Sequence, residues 1–177
     1  MHVHGLAQRA VLAAVAIAAA SAVAAPATAA PRARATTTAA AAAALAGHAV
    51  PVQCVSVPAF NAAAYEAPDQ LWAYGIAGLY NSNTKEIVLT NAVCAGLATI
   101  PTLGARPLSQ SAALAVFTLA HEIGHSLYGP DEATADRYGL AHASALAYLL
   151  GLRTRQDYWM LADWIRNYAP LHAGVQP

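Results

Sequence analysis

Charge is scarce in this chain. Nine basic and nine acidic side chains are spread over 177 residues, for a formal net charge of zero. That balance excludes the basic footprint of a nucleic-acid-binding domain and the polybasic patch that draws a protein to an anionic bilayer. There are only two cysteines, Cys54 and Cys94, so a Cys/Cys metal site lacks its second pair. Beyond the N-terminus no segment is long and uncharged enough to anchor the chain in a membrane. No Gly-rich phosphate loop and no serine or cysteine triad stands out. A nucleophile, if the chain uses one, is water.

The hydrophobic content of 58% is inflated by alanine. At the N-terminus Arg9 precedes an apolar run from Ala10 to Ala25, and the small-residue sites of "SAVAAPATAAP" follow. This is the layout of a secretory signal peptide, expected over residues 1–29, with cleavage after Ala29 or Ala30. The run is shorter than the roughly 20 residues of a spanning helix, so the expected mature chain is secreted or extracytoplasmic, with no stable membrane anchor. In that compartment Cys54 and Cys94 are expected to form a disulfide closing a loop of about 40 residues, the alternative being two buried thiols.

Residues 30–47 are Ala-rich and show no apolar periodicity that would define a buried face, so they read as a linker or a short pro-segment, helical on propensity alone. The texture changes at His48, where a domain of residues 48–177 is expected. "HAVPVQCVSVP" alternates with period two and reads as a strand; "LWAYGIAGLY" and "EIVLT" flank the turn-forming "NSNTK" and read as a hairpin. From Ser109 to Tyr128 the period lengthens: Ala113, Val116, Phe117, Ala120, Ile123 and Leu127 recur every three or four residues, with Ser109 as N-cap. Gly129 and Pro130 stop that helix, Asp131 caps a second over about Glu132 to Leu150, and "QDYWMLADWIRNYA" makes a third, ended by Pro170. There is no βαβ alternation. The expected class is α+β: a small, mostly antiparallel sheet followed by three helices.

The chemistry concentrates in "HEIGHSLYGPDEATAD", His121 to Asp136. On a helix, residues four apart stand one above the other, so His121 and His125 can offer both imidazoles to one ion. Glu122 lies one position round, able to reach a metal-activated water without being a ligand. Two neutral nitrogen ligands, an open position and a carboxylate base are what metal-assisted hydrolysis requires. A His-acid-x-x-His pattern arises in roughly 1% of shuffled chains of this composition; here it falls inside an independently expected helix.

The string resembles the zincin metallopeptidases, whose HExxH stands here as His121-Glu122-Ile123-Gly124-His125. Downstream, "EATAD" looks like the ExxxD of the gluzincin branch. That resemblance implies Zn2+ as cofactor, Glu132 as third ligand, Asp136 as the hydrogen-bond partner that orients His121, and a zincin-like minimal core. Glu132 and Asp136 are four apart on one helical face, and a metal-bound histidine commonly needs a carboxylate or carbonyl on its other nitrogen. The chain departs from the larger gluzincins in having only six residues between His125 and Glu132. The short link is similar to the metzincin HExxHxxGxxH/D, which puts Asp131 at the third-ligand position with the glycine displaced by one, at Gly129. Asp131 also has an alternative occupation as N-cap; either carboxylate reaches. The string is also similar to small exported zincin-like bacterial proteins. The resemblance covers mainly residues 50–150 and is specific only around the motif.

What it implies is an exported peptidase acting on peptide or protein substrates, with Glu122 as general base and "EIVLT" as an edge strand that pairs with extended substrate, a plain sheet strand being the alternative reading of that segment. An exported binding domain that uses zinc for stability without turnover is the alternative, and a metal-free disulfide-stapled module a third. Tyr128 and Tyr138 flank the motif as candidate donors to an oxyanion, or as packing residues. His142 falls on a different helical face, and Trp159 and Trp164 read as core.

Overall fold

The computed structural model describes residues 29–65, 77–104 and 106–173. The expected signal peptide, apart from its last residue, and the segment 66–76 lie outside the described residues. Six α-helices and three strands follow in the order α1 (Ala29–Ala46), β1 (Val52–Val55), α2 (Val57–Tyr65), β2 (Gly78–Asn81), β3 (Glu86–Thr90), α3 (Asn91–Thr99), α4 (Gln110–Tyr128), α5 (Glu132–Leu149) and α6 (Arg155–Ala173). A short 3-10 turn, Ile100–Thr102, follows α3. The class is α+β, as the pattern of elements indicated.

The sheet is mixed rather than mostly antiparallel. Its order is β1-β3-β2: β3 runs antiparallel to β2 and parallel to β1, with Val52 facing Ile87 and Cys54 facing Leu89. Residues 57–65 fold into a helix, with Pro58 in its first turn where its missing N–H is harmless. Phe60 of that helix is buried with Leu79 and Val88 on one face of the sheet. The hairpin turn is held by the Asn81 carboxamide oxygen, which accepts from the N–H groups of Asn83 (2.9 Å) and Thr84 (3.2 Å).

Alternation along β3 splits its side chains between the two faces: Val88 meets Phe60, while Ile87 and Leu89 join the main core with Leu97, Val116, Leu119, Ile123, Leu146 and Leu161. The axis of that core is α4. Its start is where the sequence indicated, with the Ser109 hydroxyl accepting from the Ala112 N–H at 3.2 Å. α5 and α6 pack on it. Asp157, almost fully buried, accepts from the Leu108 N–H at 3.2 Å and is hydrogen-bonded to the Thr154 hydroxyl, which pins the start of α6 to the entrance of α4. α6 continues to Ala173, past Pro170. Trp164 is partly buried against the core, but Trp159 is 65% exposed and so is not the core residue its spacing indicated.

The segment expected to be a linker is part of the body. Ala41 and Ala42 are buried in the core with Thr38 beside them, and α1 packs against β1, α3, α4 and α5. Uniform alanine gives no periodic hydrophobic signal, yet it forms helix readily and its small side chain suits close helix packing. Cys54 and Cys94 form a disulfide 40 residues apart that ties β1 to α3; closing a loop of that length stabilises the fold by roughly 3 to 4 kcal/mol. Among the described residues no helix is long and apolar enough to cross a membrane.

Candidate metal centre

His121 and His125 project from the C-terminal half of α4 toward α5. Two glycines allow the helices to meet closely enough for this. A Cβ on Gly124 would lie 2.9 Å from the Ala135 Cα and 3.1 Å from the Tyr138 Cβ, and one on Gly139 would lie 3.0 Å from the Phe117 ring and 3.3 Å from the His121 backbone nitrogen. A side chain at Gly124 would force the helices apart, and one at Gly139 would need the Phe117 ring to give way. The turn between the helices is closed by Gly129, at a φ of 85° that favours glycine; its N–H donates to the His125 carbonyl at 3.0 Å.

Each imidazole is fixed through its outer nitrogen. Asp136 Oδ1 lies 2.8 Å from His121 Nδ1, and the Gly129 carbonyl oxygen lies 2.9 Å from His125 Nδ1. A carboxylate and a carbonyl oxygen only accept, so both Nδ1 atoms carry the proton. In the neutral rings both Nε2 lone pairs are then turned inward. They face each other at 3.0 Å, and Glu132 Oε2 stands 3.1 Å from His121 Nε2 and 3.4 Å from His125 Nε2. Three electron-pair donors thus converge on one point, an arrangement that repels itself unless a cation sits among them.

A proton is one such cation, and the surroundings of the groups favour it. Burial pushes His121 down, but hydrogen bonds to Asp136 and Glu132 and the negative charge of Glu122 outweigh it, raising its pKa to about 10. His125 is likewise held above its ordinary value, against burial, by Glu132, by Glu122 and by the Gly129 carbonyl. The two histidines in turn bring Glu132 down to about 2. A metal ion is the other. Ligand atoms at about 2.0 to 2.2 Å from a tetrahedral centre sit roughly 3.3 to 3.6 Å apart, so the observed 3.0, 3.1 and 3.4 Å need spread by only a few tenths of an ångström. His121, His125 and Glu132 are a group that could hold a metal ion.

Asp131, the other candidate third ligand, is placed elsewhere. Its carboxylate caps α5, with Oδ2 accepting from the Thr134 N–H at 2.8 Å, and those bonds to Thr134 hold its carboxyl below the usual range. It is not part of the converging group. Glu132, the next residue, begins the helix proper and is about half exposed, which leaves the metal position open to solvent. Tyr138 is buried and stacks on His142 at 4.0 Å between ring centroids, with Tyr128 tilted against it at 5.8 Å; these rings pack on one another, and Tyr128 is exposed.

Glu122 is buried beside the histidines. Burial pushes its carboxyl up, opposed by both histidines and by a hydrogen bond from the Tyr80 backbone. Its Oε2 is buried and has no hydrogen-bond partner among the described residues. The strand touching it is β2, not β3: "EIVLT" is the central strand, its backbone engaged on both sides, and so it is not the edge strand the motif had suggested. Gly78 and Tyr80 carry no local signal as neighbours of Glu122, because nothing in a four-residue strand states which helix it will pack on.

No protein-family model matches this chain, nor does any curated protein or solved structure.

Proposed function

We propose that the chain is an exported zinc-dependent peptidase, with His121, His125 and Glu132 as ligands, Asp136 orienting His121, and Glu122 as general base. The observation that carries the reading is the convergence of three donor atoms beside a buried carboxylate with an unpartnered oxygen. An unsatisfied buried carboxylate oxygen costs on the order of 1 to 3 kcal/mol or more, which a purely structural metal site has no reason to bear. When bound, zinc would supply Lewis acidity, polarising a carbonyl and acidifying a water molecule. Glu122 then accepts the proton of the attacking water and returns it to the leaving amine. Asp136 and the Gly129 carbonyl hold both imidazoles in the tautomer that donates through Nε2.

Support for a peptide as substrate comes from β2. It pairs with β3 alone among the described strands and borders Glu122, so an extended chain laid along its outer side, bonding to groups other than the Tyr80 N–H that the Glu122 carboxylate takes, would pass the base. Support for export comes from the disulfide, which persists in oxidising compartments, and from the leader-like N-terminus. The test is hydrolysis of a quenched-peptide library by the zinc-loaded chain and by Glu122→Gln. The reading expects Glu122→Gln to keep one zinc per chain and to lose at least about 100-fold in kcat. Zinc retained in both with no hydrolysis by either would favour the binding-domain alternative.

A further inference from the structure

The register of the hairpin decides which backbone groups of β2 face away from β3. Thr90 N–H donates to the Ala77 carbonyl, and the pairing continues Leu79 with Val88 and Asn81 with Glu86. In an antiparallel ladder bonded and non-bonded pairs alternate. Positions 77, 79 and 81 therefore point their polar groups at β3, and Gly78 and Tyr80 point theirs outward. The outward Tyr80 N–H is the one that donates to the Glu122 carboxylate. Two residues earlier, Gly78 lies directly under the same side chain: a Cβ there would sit 2.9 Å from both Glu122 Cγ and Oε1, and 2.7 Å from Thr118 Cγ2. Since Oε2 is the oxygen without a partner, the bond to the strand engages the other one.

From this juxtaposition we propose that β2 is the positioning element of the general base: the Tyr80 N–H anchors one oxygen of Glu122, the bare Cα of Gly78 gives that side chain its place, and Oε2 alone is left for chemistry. The proposal rests on the peptidase reading for its catalytic consequence. The anchor itself does not. A carboxylate with both oxygens solvated samples many orientations; one tied by a backbone N–H and walled by a strand keeps a single lone-pair direction presented to a reacting water. Misplacing a reacting group by about 1 Å costs on the order of 100-fold in rate. A side chain at position 78 meets Glu122 at 2.9 Å, well inside ordinary contact, and so forces a shift of that order.

Two measurements on the full chain test it. The first is hydrogen exchange of the Tyr80 amide, which needs no turnover. Glu122→Gln retains an acceptor oxygen and is expected to leave Tyr80 protected, whereas Glu122→Ala is expected to accelerate its exchange at least tenfold relative to Leu79, whose amide faces β3. Equal exchange in all three proteins would overturn the anchor. The second is kinetic. Gly78→Ala crowds both Thr118 and Glu122, and adding Thr118→Ser removes the nearest clash without relieving Glu122. The double variant is expected to regain the wild-type Tm with full zinc content and unchanged KM, yet to stay at least tenfold down in kcat. Recovery of kcat together with Tm would show that Gly78 serves packing only and would overturn the positioning role. If the wild-type chain hydrolyses no peptide, the catalytic consequence falls with the peptidase reading, and the amide exchange still decides the anchor. If the double variant does not regain its Tm, the exchange result decides likewise.

Discussion

Replacing Gly124 by alanine sets two effects of known size against each other. In the interior of an exposed helix, alanine is favoured over glycine by roughly 0.5 to 1 kcal/mol, because glycine loses more backbone freedom on folding. At this position the new methyl would lie 2.9 Å from the Ala135 Cα, 3.1 Å from the Tyr138 Cβ and 3.2 Å from the Ala135 carbonyl oxygen. Two of those three atoms are backbone of the facing helix, so no rotamer change relieves the clash; α4 and α5 must separate by about half an ångström or more. Overpacking of this kind costs typically 1 to 3 kcal/mol, which outweighs the propensity gain and leaves a net loss of about 1 to 2 kcal/mol. For a chain of this size that lowers Tm by roughly 2 to 8 °C. The separation also draws Glu132 and Asp136, both on α5, away from histidines on α4 that they meet at 2.8 to 3.4 Å. Zinc affinity is therefore expected to fall about tenfold, read by competition with a chromogenic chelator. Gly139→Ala, whose nearest neighbour is the movable Phe117 ring, is expected to be milder in both readouts. A Gly124→Ala protein at least as stable as wild type, with undiminished zinc affinity, would refute the reasoning that close helix approach builds the site.

Four further outcomes are expected. Zinc uptake at pH 7 should release at least about one proton, because His121, raised to about 10, is protonated in the metal-free chain and His125 is raised as well; calorimetry in buffers of different ionisation enthalpy reads the number, and a value near zero would contradict it. The same shift sets the stability of the metal-free chain: a folded pKa above the unfolded 6.5 contributes stability that is full below about pH 6.5 and lost as pH rises through about 10, so its urea midpoint should fall across that window while that of the zinc form does not. Asp136→Asn should weaken zinc binding by 10- to 100-fold and lower the Tm of the metal-free chain, since it removes the buried carboxylate on His121 Nδ1. Asp131→Ala should lower Tm as a lost helix cap while keeping the metal, and Glu132→Ala should lose the metal while keeping the cap; the reverse result would exchange their roles.

The part of the site that was legible in the sequence is the part written in helical spacing. His121 and His125 one turn apart, Glu132 and Asp136 one turn apart, and a Gly-Pro break between the two helices together bring these groups within reach, and the structure places them there. The Ser109 and Asp131 caps were legible for the same reason, since capping chemistry is local. What spacing could not convey is long-range. The parallel pairing of β3 with β1 follows from the strand order β1-β3-β2, which no local signal sets, and uniform alanine hid the burial of Ala41 and Ala42. The neighbours of Glu122 were illegible for a related reason: the Tyr80 N–H and the bare Cα of Gly78 act through backbone, which carries no mark in the residue names.

The most direct test of the central claim is anomalous diffraction at the zinc edge from crystals of the zinc-loaded chain. One peak per chain is expected, within about 2.2 Å of His121 Nε2, His125 Nε2 and a Glu132 carboxylate oxygen, with Asp131 still capping α5. A peak ligated by Asp131, or zinc bound elsewhere with these three side chains unengaged, would contradict the account.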